Sequence, residues 1–214
     1  MTRGEPGGVV AGLRTGTIAP MSTERNDEEV YFKQLEIEQR RKLREKLEAA
    51  AKDLADKQAI ADSVNTDDLS LAERIKALGF SGDTAKVFDL LPLVHVAWAD
   101  GAIQKSERAA ILRVLELRNV AAGSEGFTLI ESLLEERPND EYMNQSLAVL
   151  KELLAQGDGN RGAAIVELCQ DVATAAGGFL GLGSKVSGEE RELIERIAGE
   201  LGDSAQQTFR QSLD

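Results

Sequence analysis

The sequence predicts an all-α fold, and three observations carry that reading. Only four prolines interrupt 214 residues, leaving long stretches of Ala, Leu, Glu, Lys and Arg, whose side chains lose little rotamer freedom in a helix. Apolar residues recur at three- and four-residue spacings through much of the chain. No period-2 run of Val, Ile, Thr and aromatics bounded by turn residues competes with that pattern. Aromatics are only 4% of the chain against 42% hydrophobic residues overall, so the core must be built from Leu, Ile, Val and Ala.

Residues 1–23 are rich in Gly, Thr and Pro and read as a disordered tail. Within them Met21, followed by Ser-Thr-Glu-Arg, is a second candidate start. Residues 24–62 read as a charged helical arm. The run from Glu36 to Glu48 (EIEQRRKLREKLE) alternates in sign and offers acid–base pairs at helical spacing. Tyr31, Leu35, Leu43, Leu47, Ala50, Ala51 and Leu54 line one stripe too narrow to form a core alone. That stripe predicts an arm laid against its own domain or a surface for a protein partner, a second copy of the chain included. Residues 63–82 read as a short helix over 68–78 and a linker, with Gly79 as the stop.

From 83 to 214 the pattern predicts one compact domain of about seven helices. Asp83 is the candidate N-cap of a helix burying Val87, Leu90, Leu91, Val94 and Trp98 and kinked by Pro92. Further helices are expected over 106–117, 125–136, 140–155, 162–176, 189–201 and 203–211, with Pro138 ending the second of these.

Charge narrows the partners. The chain carries a formal −12, yet residues 1–60 hold 11 basic and 11 acidic side chains, so the excess lies in the remainder. Such a region lacks the clustered Lys and Arg that replace phosphate counterions, which argues against nucleic acid and against anionic membrane surfaces. No run approaches the roughly 20 apolar residues of a membrane span, so no insertion is expected. The single cysteine, Cys169, excludes an intrachain disulfide and suits a reducing compartment; a cytoplasmic location is the expectation.

Two segments of the domain match each other. The first runs Ala97-Trp98-Ala99-Asp100-Gly101, then Ile103, Ser106-Glu107-Arg108 and Ile111. The second runs Ala173-Thr174-Ala175-Ala176-Gly177, then Val186, Glu189-Glu190-Arg191 and Ile194, with seven residues inserted after the glycine. In each, a helix ends at glycine, an apolar residue plugs the corner, and a second helix opens on carboxylates that favour its positive end. Each unit is a helical hairpin with acidic oxygens at its elbow.

The stretch VHVAWADGAIQKSERAAI, with a second copy ending VSGEERELIERIAGELG, resembles the TerB-like tellurite-resistance family over about residues 83–202. That resemblance implies a bundle of about seven helices built from two duplicated hairpins. It also implies a role in resistance to tellurite and other stresses, and a divalent-cation site, calcium or similar, at the acidic elbows. Asp100 and Glu107 match the acidic positions of the first elbow and Glu190 the glutamate of the second. Ala176-Gly177 stands where the second elbow would carry Asp-Gly.

Asp-Gly-x-Ile-x-x-x-Glu over 100–107 is the back half of an EF-hand loop, but Val96 and Trp98 occupy ligand positions of the front half, so no EF-hand is expected. The alternative for Asp100 and Glu107 is structural, holding turn amides and a helix start. The loop 178–185 fails as a phosphate-binding loop, since Ser184 separates its last Gly from Lys185 and a helix precedes it. Its Phe179, Leu180 and Leu182 are expected either to fold onto the core or to dock a protein partner. His95 and Cys169 sit among apolar neighbours and are expected to be inert, and so few soft ligands exclude zinc. No acid, base and nucleophile set can be named, so the chain reads as non-catalytic. A scaffold using the arm and the 178–185 loop, without metal, is the other reading.

Overall fold

The computed structural model describes residues 21–157, 160–176 and 186–212. Among these residues every regular element is helical, so the chain is all-α. The expected tail lies almost wholly outside the described residues, as does the loop with Phe179, Leu180 and Leu182. The chain divides into two compact units, Met1–Ala50 and Ala51–Asp214.

In the first unit the described chain is helical throughout, as part of α1 (Met21–Val64). Every described side chain from 27 to 50 is exposed, large apolar ones included: Tyr31 (62%), Phe32 (63%), Leu43 (58%) and Leu47 (62%). Local ion pairs hold this stretch, Glu36 with Arg40 at 2.6 Å and Glu38 with Lys42 at 2.8 Å. Acid-before-base pairs at this spacing support the helix, though water screens them.

The second unit takes in the last turns of α1, where Ile60, Ala61 and Val64 are buried. Lys76 ties that segment to α2 (Leu69–Ala77) through Asp53 and Asp56, both at 2.9 Å. Asp68 caps α2 by accepting from the Ser70 amide at 2.9 Å. Gly79, at φ +91°, ends it: its own amide returns to Lys76 O and the Phe80 amide to Ile75 O, the paired bonds of a Schellman stop.

The single kinked helix expected from Asp83 is instead two pieces. A 3-10 helix covers Ala85–Leu90 behind Thr84, and α3 covers Leu91–Ala97 with Pro92 in its first turn. The reason is the proline: its missing N–H costs nothing in a first turn and a helical bond anywhere later. Asp83 is therefore not the cap.

The remaining helices follow the sequence closely: α4 (Lys105–Leu117), α5 (Glu125–Glu135), α6 (Asp140–Ala155), α7 (Asn160–Ala176), α8 (Gly188–Leu201) and α9 (Asp203–Gln211). Ser124 and Asn139 cap α5 and α6 with side-chain oxygens. Packing centres on α7, which touches α3, α4, α8 and α9, while α6 lies against α2, α3 and α8. The hairpins α3–α4 and α7–α8 thus pack directly on each other, with Leu93, Val94, Ile111, Leu115, Ile165, Val172 and Ile194 enclosed between and around them. A compact bundle results.

Candidate functional site

In both elbows the second helix opens by the same local chemistry. In the first, α3 ends at Trp98, the Asp100 carboxylate accepts from the Ala102 amide at 3.1 Å, and Gly101 turns the chain at φ +91°. A side chain would strain that left-handed backbone. Ile103 packs onto the core, and the Gln104 amide donates to Glu107 Oε2 at 2.6 Å. In the second elbow Val186 packs onto the core in the same way. The Ser187 amide donates to Glu190 Oε2 at 2.6 Å, and Ser187 Oγ accepts from the Glu190 amide at 3.0 Å. Each glutamate is the third residue of its helix and reaches back over the first turn, the capping-box arrangement.

Unusually for capping glutamates, both are buried: Glu107 is 2% exposed and Glu190 4%. Packing of the two hairpins brings the Glu190 carboxyl near enough to act on Glu107. Burial pushes the Glu107 carboxyl up to about 7, against the pull of the Gln104 amide; Glu190 and the Asp100 charge push the same way. Burial and the neighbouring Glu190 charge both disfavour the ionised form of Glu107, so this carboxyl keeps its proton below about pH 7.

Of the three residues expected to bind a cation, Glu107 and Glu190 are therefore brought together. Asp100 is exposed, spends an oxygen on its own turn, and reaches the pair through its charge rather than by contact. Among the described residues no group of three or more His, Cys, Asp or Glu is placed to hold a metal ion. Calcium takes six to eight oxygens, and two carboxylates alone fall short of that shell.

Sequence reasoning missed another buried charge. Asp89, 8% exposed, receives Arg118 Nη1 on both oxygens, at 2.7 and 2.8 Å, and Arg161 Nη2 at 3.4 Å. Arg118 ends α4 and Arg161 opens α7, so this carboxylate ties the 3-10 segment to both hairpins. Nothing local announces it, because its partners lie 29 and 72 positions away.

His95 lines a cleft of about 440 Å³ with Trp98, Arg137 and Arg196. Burial, and then the Arg196 charge, hold its imidazole down to about 4, so it is neutral near pH 7. Cys169 is fully enclosed, and burial pushes its thiol up, away from the reactive thiolate. Among the described residues no helix is long and apolar enough to cross a membrane. Set against family models, curated proteins and solved structures, the chain matches none.

Proposed function

We propose that this chain is a non-catalytic, TerB-like stress-response module that takes a divalent cation at the paired elbows, through Glu107 and Glu190 with help from Asp100. The observation that carries the reading is the approach of two buried carboxyls that lie 83 positions apart. A positive species between them relieves their repulsion. A proton serves, and so does a divalent ion, which would replace the proton and draw in the nearby Asp100 charge. The geometry also suggests how binding would be felt: each glutamate caps the first turn of a helix, so an ion between them couples α4 to α8. No redox or group-transfer step is assigned to the chain.

Isothermal titration with calcium and with other divalents tests it. Heat of binding and a thermal upshift in the intact chain, both lost in Glu107→Gln and Glu190→Gln and weakened in Asp100→Ala, are expected. Absence of heat and of any shift with every divalent would reject the cation.

A second reading is favoured by the exposed apolar side chains of α1: a protein-interaction surface from Tyr31 towards Leu54, with no metal involved. It predicts that Leu35→Glu with Leu43→Glu abolishes partner capture while leaving thermal stability unchanged. A location in the cytoplasm fits either reading, since neither needs a disulfide.

A further inference from the structure

The α1 surface between residues 27 and 50 is self-complementary, and we propose that it pairs with a second copy of this chain, antiparallel, crossing at Gln39. The inference rests on reading α1 as an interaction surface, and it is independent of the cation at the elbows.

Its first support is the symmetry of the apolar positions. Tyr31, Leu35, Gln39, Leu43 and Leu47 follow one another at intervals of four, so the row is apolar outward from Gln39 in both directions. At about 100° per residue, Phe32 and Ala50 join this face, all within about 80° of Gln39. In an antiparallel pair each residue before Gln39 meets the one equally far after it. Leu35 then meets Leu43, and Gln39 meets its own copy. Primary amides both donate and accept, so two glutamines satisfy each other and mark the register. A row at four-residue intervals is a helix-surface ridge, and two such ridges interlock at about −50°. The contact is therefore a short crossing centred on Gln39 rather than a long coiled coil.

Charge supplies the second support and selects the direction. Residues 27–38 carry five carboxylates and one lysine, whereas residues 39–50 carry five Lys or Arg and two glutamates. Reversal lays the acidic half on the basic half. It puts Glu36 opposite Lys42, and it lays the Lys46 stem over the Phe32 ring. A parallel pair in register would set each of these charges on its own kind. Residues 1–60 are neutral overall in a chain of −12, so this is where two acidic molecules can approach with least repulsion. Val30 and Ile37 lie on the opposite face of the helix and take no part.

Sedimentation equilibrium of the full chain across a rising concentration series, with cysteine cross-linking, tests the pairing. Cys169 is fully buried and does not compete. The intact chain is expected to dimerise reversibly, and Leu35→Glu with Leu43→Glu to raise the dissociation constant roughly tenfold or more; both side chains are exposed, and an unchanged helical spectrum separates this from misfolding. Mixed Glu36→Cys and Lys42→Cys chains should cross-link to each other under copper–phenanthroline, and neither should link to itself. Self-linking of either variant, or a dimer indifferent to the leucine changes, would overturn the antiparallel crossing. A monomer at every concentration would overturn self-pairing alone. The broader reading of α1 as an interaction surface would fall only if the leucine variant also kept every partner captured by the intact chain.

Discussion

Glu107 carries a conflict between local and global demands. Its helix wants an ionised acceptor at the first turn, and the Gln104 amide provides a donor. The bundle wants it neutral, since it is 2% exposed and lies near the Glu190 charge. In the unfolded chain this carboxyl ionises near 4.5 and in the fold near 7. The folded state therefore keeps a proton that the unfolded chain has lost, and stability should fall as pH rises from about 4.5 to about 7, reaching its floor above that. Roughly 1–3 kcal/mol is at stake. Glu107→Gln fixes the neutral form with the same shape. Urea unfolding at pH 5 and pH 8 should show a loss across that interval in the wild type and little in the variant, which should be the more stable at pH 8. Equal losses in both would remove the pair as the source. The sequence located both glutamates and their role at helix starts. It could not reveal their burial or approach, because a capping box looks the same whether it faces water or another hairpin.

Among the elements, the start of α8 and the approach of α7 to the α8–α9 corner each offer a single-residue test. Ser187→Ala removes the oxygen that accepts from the Glu190 amide and should cost about 1 kcal/mol in denaturant unfolding. Gly162, in α7, has no room for a side chain: an added Cβ would lie 2.9 Å from Leu201 O and 3.4 Å from Leu201 Cβ. Alanine would gain up to about 1 kcal/mol in helix propensity, but backbone oxygen cannot rotate away, and overpacking of this kind costs roughly 1–3 kcal/mol. Destabilisation should win. Gly188→Ala is the control, since nothing lies within 4 Å of its added Cβ, and that change should be neutral or slightly favourable. A Gly162→Ala protein as stable as the wild type would mean that the two helices can separate freely. Helix limits near good caps and stops, such as 140–155 and 203–211, were legible in the sequence. The break before Pro92 was not, because a proline inside an apolar period is equally compatible with a kink and with a new first turn.

For the molecule as a whole, the core reaches further towards the N-terminus than the apolar period after Asp83 suggests. Ile60, Ala61, Val64, Leu71, Ala72, Ile75 and Phe80 are all buried at 3% exposure or less. Removing them would strip several large side chains whose burial contributes roughly 1.5–3 kcal/mol each, against a total stability on the order of 5–15 kcal/mol. A chain beginning at residue 83 should therefore lose cooperative thermal unfolding, whereas one beginning at Ala51 keeps every one of these residues and should retain it. Cooperative melting of the shorter chain would show that the α1 and α2 contribution is dispensable.

The sequence by itself determined the helical class, most helix limits, the duplicated elbows and the charge division, because each follows from spacing and composition within a few turns of chain. Only the tertiary structure decided that Glu107 and Glu190 share one buried space, that Asp89 gathers Arg118 and Arg161, and that the end of α1 enters the core. Those facts join residues tens of positions apart, and no local periodicity encodes which two faces will meet.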